Sequence, residues 1–494
     1  MKLRELVSVL PKARVVGQLD VEVNGIAHDS RKVSPGELFV CVRGLKFDGH
    51  DFAEEAVAKG AVALVAQRQI STVPVPVVYT DETRLAMALV SERFFGFPSR
   101  KLRLVGVTGT KGKTTTAFMI KWLLEQVFGH ASGLIGTVAN LVGQRQLPVT
   151  HTTPESTELS WLLKEMVDSG CAYAAMEVSS HAIALRRIAG CSFHCGVFTN
   201  LTQDHLDFHR DMEDYFQVKA GFMLGQASFE GPSTAVVNQD DPYGARLIEQ
   251  LTSRGKPVIT YGLGVPARVR GYQVEVGLNG TRFRARFPNG QEVLVATRMT
   301  GRFNVYNALA AMAVAWAEGA DPEKLVEAVS KFPGVPGRFE RVDEGQPFTV
   351  VVDYAHTPAS LENVLTTARE LGPSRIITVF GCGGDRDKTK RPLMAEVVGR
   401  LSDYAIVTSD NPRSEDPEDI IRQTVAGFPE GARARYEAVV DRAKAIRRAI
   451  GMAQPGDFVL IAGKGHETYQ VFGDKVVPFD DREVARGAIR ALRA

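Results

Sequence analysis

Gly109-Thr110-Lys111-Gly112-Lys113-Thr114-Thr115 lies between the apolar run LRLVGVTG and a helical pattern from about 114 to 128. Glycines at such a turn let backbone N–H groups converge on phosphate oxygens, and the start of the helix adds its positive dipole end. Lys113 is placed to reach β- and γ-phosphates, and the Thr114 hydroxyl to ligate Mg²⁺. The strict phosphate-loop pattern needs glycine five residues before Gly112, where Val107 stands; Gly106 and Gly109 flank it. The loop is therefore a variant of the pattern, and a nucleoside-triphosphate site is expected.

Glu177 ends the apolar strand YAAMEV, which puts a carboxylate at the carboxyl edge of the same sheet. His205 and His209 stand four residues apart, a spacing that suits a zinc pair or an ordinary polar turn. Lys219 shares a helical face with Tyr215, Phe216, Phe222 and Met223. A lysine there either snorkels to the surface or, if desolvated, loses its proton. Asp410-Asn411-Pro412-Arg413 follows the strand YAIVTS on a loop, and by itself reads as a turn. Cys191, His194 and Cys195 lack a second ligand pair, so the cysteines are expected in a strand as buried structural thiols.

Positioning these groups requires parallel sheets. Short apolar runs alternate with helical segments along the chain, the pattern of an α/β protein with helices covering parallel strands. The chain has 494 residues, about three domains' worth. With 59 Lys+Arg and 57 Asp+Glu, it has no global field for holding nucleic acid or an anionic membrane. No apolar run approaches the ~20 residues that span a bilayer. Five cysteines make no disulfide framework, and a cytoplasmic location is expected. Phe97-Pro98-Ser99-Arg100 reads as a linker, and the interruption at PGVPGRFE as a second boundary. This gives domains at 1–98, 99–335 and 336–494.

GTKGKTT, HTTPES, MEVSSHA, FTNLTQDHLDFH, DYFQVKAGFM, GRFNVYNALAA, PGRFE, VVDYAHTP, FGCGGDRDK, DNPR and AGKGHE occur in this order. Together they closely resemble the Mur ligases of peptidoglycan synthesis, from about residue 20 to about 485. The resemblance implies three domains: a small N-terminal α/β domain for a UDP-linked substrate, a central P-loop ATPase-type parallel sheet, and a C-terminal dinucleotide-binding-like α/β domain that receives an amino acid. It implies ATP-driven amide formation, in which a substrate carboxylate becomes an acyl phosphate that an amine displaces. Gly109 to Thr115, Asn304, Asn307, Arg338, Asp353 and His356 then match ATP-facing segments, with Lys113, Asp353 and His356 in catalytic roles. Thr114, Glu177, His205 and Lys219 match the Mg²⁺ ligands, Lys219 as a CO₂-derived carbamate. Imidazole is an awkward partner for Mg²⁺, which prefers oxygen.

The acceptor substrate implied by the resemblance is UDP-N-acetylmuramoyl-L-alanyl-D-glutamate. Its contacts match Thr152, Thr153, Ser179 and Arg187, and in the first domain His28, Ser30, Leu45, Lys46 and Phe47. Leu185 stands where many relatives carry glutamine, so one polar contact is expected to be missing. DNPR resembles the signature of members that add meso-diaminopimelate, with Arg386, Gly463 and Glu467 completing the pocket. An arginine fork suits the carboxylate at the far end of that amino acid, whereas lysine offers only an ammonium. Lys388, Lys390 and Arg391 read as a solvated face. GCGG is no GxGxxG fingerprint, so NAD is not expected. The rivals are a lysine-adding member, a folylpolyglutamate synthase, an inactive glycopeptide-binding relative, and a P-loop switch, which would turn over ATP without either substrate. A monomer is expected.

Overall fold

The computed structural model describes residues 1–44, 47–70, 73–206, 208–226 and 229–492. Leu45 and Lys46 lie outside the described residues. The chain forms two compact units, one of Met1–Tyr272, Arg284–Val295 and Val305–Ser330, the other of Gln273–Phe283, Ala296–Asn304 and Lys331–Ala494. The mixed α/β class expected from the alternating pattern is what is observed. Among the described residues no helix is long and apolar enough to cross a membrane.

In the first unit, a small sheet places Val77–Tyr79, Ala63–Ala66, Glu37–Val40 and Gly25–Ala27 parallel, with Arg14–Val16 antiparallel at one edge. A larger sheet sets Val258–Gly262, Thr234–Asn238, Cys195–Phe198, Arg103–Thr108, Tyr173–Glu177 and Ser132–Ile135 side by side, all parallel. These strands are buried on both faces, which is why they read as continuous apolar runs rather than alternating ones. Arg103–Thr108 sits centrally. The next two strands of the parallel set lie to one side of it, and Cys195–Phe198 onward to the other. Its loop therefore opens at a topological switch point, where α/β sheets bind ligands.

In the second unit, Thr349–Asp353, Phe458–Ala462, Ile376–Cys382, Tyr404–Ser409 and Arg435–Ala438 run parallel in that spatial order. One face packs Leu361, Val364, Met394 and Ile420, the other Ala445, Ile446, Ile450 and Ile489. This is a doubly wound sheet. The segments after Asp353, Cys382, Ser409 and Ala462 all emerge at its carboxyl edge.

Three expectations are corrected. Phe97–Arg100 is not a loose linker: Pro98–Lys101 is a 3₁₀ turn with Pro98 and Ser99 buried, and Ser99 Oγ donates to Glu92 Oε2 at 2.8 Å. Arg391 is fully buried, not solvated, because Glu415 takes its guanidinium at 2.9 and 3.0 Å and Gln423 at 2.7 Å. Charge pairing with matched hydrogen bonds offsets its desolvation. Cys191 precedes the strand Cys195–Phe198 rather than lying in it. All five cysteines are free and buried.

Candidate active site

The phosphate loop is shaped by its surroundings. Gly112 has φ +84°, and a Cβ there would lie 2.5 Å from Asn307 Oδ1, so glycine is required both for the turn and for the approach. Asn307 Oδ1 accepts from Thr116 Oγ1 at 3.2 Å, which sets Asn307 against the loop. Asn200, just past Cys195–Phe198, takes the Lys111 N–H at 3.0 Å and gives its Nδ2–H to Lys111 O at 3.0 Å. Thr199 Oγ1 also donates to Lys111 O, at 2.7 Å. Thr199 and Asn200 were not singled out in the sequence. Their signal was the strand CGVF ending in polar residues at the edge where the loop opens.

Lys113 Nζ turns back onto the carbonyls of Gly109 (3.0 Å) and Thr110 (2.9 Å). Lys219 Nζ donates to the same Gly109 O at 2.9 Å and lies 4.8 Å from the Tyr215 ring centroid. Burial, with the Lys113 ammonium nearby, holds Lys219 well below the usual lysine range, and Asp204 opposes this only in part. The side chain is 1% exposed, so the buried alternative holds over snorkelling. Thr114 Oγ1 donates to Glu177 Oε2 at 3.0 Å, and Glu177 Oε1 takes the Thr137 N–H at 2.8 Å. The structure thus brings Lys113, Thr114, Glu177 and Lys219 around one loop. His205 is placed differently: its ring packs edge-on to His181 at 4.9 Å and its side chain is 43% exposed. His209 is buried, with Nε2 2.9 Å from Ser180 Oγ and Nδ1 3.4 Å from Asp214. Those partners favour the polar turn over a zinc pair. Among the described residues, no three His, Cys, Asp or Glu side chains gather tightly enough to hold an ion.

A second group extends from Glu177 toward the small sheet. Thr153 Oγ1 donates to Glu177 O at 2.7 Å, and Ser179 N donates to Thr153 Oγ1 at 3.1 Å. Thr152 Oγ1 is 3.0 Å from Thr137 Oγ1. Arg187 Nη1 donates to Thr153 O at 3.0 Å, and its Nη2 pairs with Glu155 at 2.9 Å. Glu155 also pairs with Arg84 at 3.3 Å, joining the helix Thr83–Phe94 to this group. Burial pushes the His28 pKa down, opposed by Glu155 and Asp29. Ser30 is buried and gives its carbonyl to Lys59 Nζ at 3.0 Å. Phe47 stays exposed, its ring 6.3 Å from that of Phe52. Leu185 caps the short helix Ser180–Ala184 through its N–H.

In the second unit, Asp410 and Asn411 are buried at the end of Tyr404–Ser409. Arg413 has φ +53°, donates Nη1 to Gly384 O at 2.7 Å and is tied through its N–H to Val471 O at 3.0 Å. Gly463 has φ +118°, and a Cβ there would meet Asp410 Oδ2 at 2.8 Å. Glu467 accepts from Asn411 Nδ2 at 2.9 Å and from Lys464 Nζ at 2.9 Å. Lys464, a lone lysine between glycines in AGKGHE, was also missed in the sequence. Arg386 is exposed, on Asp385 O at 3.2 Å. Asp353 takes N–H bonds from Phe339 (2.7 Å) and Ala355 (2.8 Å), yet burial raises its pKa. Burial, with Lys390 nearby, pushes His356 down. The Arg338 guanidinium lies 4.4 Å over the Tyr354 ring. Asn304 is buried on Thr300 O at 2.9 Å.

A glycine-rich strand-to-helix loop carrying Lys and Thr, beside a buried carboxylate, defines a P-loop nucleotide-binding protein of the α/β class. Residues 22–92 match the Mur ligase family, catalytic domain; 107–315 the Mur ligase middle domain; and 337–465 the Mur ligase, glutamate ligase domain. The chain is 49% identical over 497 residues to a UDP-N-acetylmuramoyl-L-alanyl-D-glutamate–2,6-diaminopimelate ligase of Geobacillus thermodenitrificans, covering 100% of both. A protein of the same name from Syntrophomonas wolfei is 46% identical over 491 residues, covering 99% of both. A solved structure of a ligase of that name matches with TM-score 0.71 at 32% identity, covering 100% of each chain. The chain belongs to the Mur ligase family.

Proposed function

We propose that this ligase joins meso-diaminopimelate to the D-glutamate of UDP-N-acetylmuramoyl-L-alanyl-D-glutamate at the expense of ATP, in peptidoglycan precursor synthesis. The full-length likeness to ligases so named supports the reaction. The observation that carries the choice of amino acid is Arg413. Its backbone N–H is held on Val471 O and its Nη1 on Gly384 O, which fixes the guanidinium as a fork for a distal carboxylate. The three family matches support domains at 1–98, 99–335 and 336–494. Acting in the cytoplasm fits five free, buried thiols.

The chemistry follows from charge. A carboxylate must attack the γ-phosphate, forming an acyl phosphate as the bond from that phosphorus to the ADP oxygen breaks and ADP leaves, so two anions must meet, and neutralisation is the main demand on the protein. Lys113 exchanges the carbonyls of Gly109 and Thr110 for phosphate oxygens, while the loop N–H groups hold the rest. Asn307 backs the loop; in the second unit Arg338, Asp353 and His356 are assigned to the nucleotide. Thr152, Thr153, Ser179 and Arg187 orient the muramoyl dipeptide, with His28, Ser30 and Phe47 toward the uridine. The Thr114 hydroxyl and Glu177 carboxylate are oxygen donors of the kind Mg²⁺ prefers. Lys219 fits as a third only as a carbamate, for which its suppressed proton affinity prepares it; His205 is a poorer match, as nitrogen. Those four would hold Mg²⁺, which when bound supplies positive charge against the phosphates. The amine then attacks the acyl carbon: a C–N bond forms, the C–O bond to phosphate breaks, and the amine's proton is lost.

The test is a mass-spectrometric product assay with ATP, Mg²⁺ and the muramoyl dipeptide, offering meso-diaminopimelate and L-lysine in competition. Diaminopimelate product alone is expected. Lysine product would overturn the Arg413 argument, and ATP consumption without product would overturn the ligase reading.

A further inference from the structure

The loops at the carboxyl edge of the second unit's sheet share a buried ammonium, Lys464, beside the Arg442 guanidinium that Asp481 pairs. Lys464 Nζ reaches Asn411 Oδ1 at 3.1 Å, Glu467 Oε2 at 2.9 Å and Asp410 Oδ1 at 3.7 Å, and lies 5.5 Å from the Tyr469 ring centroid. It is 0% exposed. Asp410 and Asn411 follow Tyr404–Ser409, whereas Lys464 and Glu467 follow Phe458–Ala462. Ile376–Cys382 lies between those two strands. The ammonium therefore ties together two loops whose parent strands are not neighbours in the sheet.

The consequences are specific. Asn411 Oδ1 accepts from Lys464 and from Val471 N at 3.0 Å, so its amide is fixed with Nδ2 toward Glu467. Glu467 Oε2 has two donors already, which leaves Oε1 for an incoming ammonium. Without Lys464, the interior cation left near Asp410 and Glu467 would be Arg442, whose charge Asp481 already pairs at 2.7 Å, and the pocket would gain one unit of negative charge.

We infer that Lys464 is a positioning residue for the amino-acid subsite, and that its charge helps the site prefer a diamino acid with a distal carboxylate over one with a bare ammonium. This rests on the reading of the reaction given above. Arg413 attracts the distal carboxylate, and Lys464 tempers the acidity that would otherwise draw in a second ammonium.

Kinetics of Lys464→Met and Lys464→Gln test it, with meso-diaminopimelate and L-lysine each as substrate. Hydroxylamine serves as a control amine, since its attack on the acyl phosphate forms a hydroxamate and releases phosphate without using the subsite. Lys464→Met is expected to raise KM for diaminopimelate by about tenfold or more and to narrow the diaminopimelate-to-lysine ratio of kcat/KM by a similar factor. Hydroxamate formation and KM for ATP should stay within about twofold of wild type. Lys464→Gln, which still donates hydrogen bonds but carries no charge, should recover part of the KM but not the ratio. An unchanged KM and ratio would overturn the inference while leaving the ligase reading intact. Loss of hydroxamate formation in both variants would also overturn it, since Lys464 would then hold the domain together. A wild-type enzyme that makes hydroxamate but not diaminopimelate product would instead sink the reading of the reaction.

Discussion

Lys219 lies beneath the phosphate loop, where burial holds its pKa well below the usual lysine range and Gly109 O accepts from its Nζ at 2.9 Å. Lys219→Met keeps the volume but removes any carbamate. We expect kcat to fall by about 10²–10³-fold, with nucleotide affinity, measured by equilibrium binding, changed by less than ~3-fold. In CO₂-free buffer the unmodified lysine also leaves a pH signature. Its folded pKa lies below its unfolded value, so the unfolded chain binds the extra proton and stability rises with pH across that interval. The Met variant should lose that slope in denaturant melts. At the other site, Arg413→Ala should lower kcat/KM for meso-diaminopimelate by about 10²-fold or more and leave the small rate with lysine nearly unchanged. An equal loss for both amino acids in steady-state assays would show that the fork does not choose between them.

The helix Thr83–Phe94 carries Glu92 into contact with the turn Pro98–Lys101 and the helix Ser156–Asp168. Its neighbours there are neutral hydroxyls and a thiol: Ser99 at 2.8 Å, Ser160 at 3.5 Å and Cys191 at 3.7 Å. Burial pushes its pKa up to about 7, despite those hydrogen bonds. Between the ordinary 4.5 and about 7 the folded chain keeps a proton that the unfolded chain releases, so stability falls as pH rises through this window. The full effect is about 3 kcal/mol. Glu92→Gln should flatten the profile and overtake wild type as pH rises, in urea unfolding across that window. An unchanged profile would mean that the carboxyl is solvated. The element level also shows what was legible beforehand. Arg103–Thr108 and Lys113–Phe128 could be read because a buried parallel strand is an unbroken apolar run and its loop has a compositional signature. Ser99 was misread because a 3₁₀ turn folds it back onto Glu92, and Arg391 because its burial depends on Glu415 and Gln423, which are distant in sequence. Lys464 and Asn200 escaped for the same reason. One polar residue beyond a strand says nothing of its partners until the strand order is known.

At the scale of the molecule, residues assigned to the muramoyl dipeptide all fall in the first unit, and those assigned to the amino acid in the second. Each unit has its own apolar clusters. In calorimetry, UDP-N-acetylmuramoyl-L-alanyl-D-glutamate should therefore raise the unfolding transition of the first unit and meso-diaminopimelate that of the second. Either ligand at ~100 times its Kd adds about 2.7 kcal/mol. Diaminopimelate acting on the first unit's transition would contradict the assignment of its pocket. The buried cysteines make the same question answerable without heating. Burial pushes every thiol's pKa up, so none is reactive while its surroundings are shut. Cys41 sits in the small sheet's core, Cys171, Cys191 and Cys195 around the central sheet, and Cys382 in the second unit. A short pulse of alkylating reagent would brand each thiol only in molecules caught open at that place, so the protein already carries dated witnesses to which of its parts loosens first.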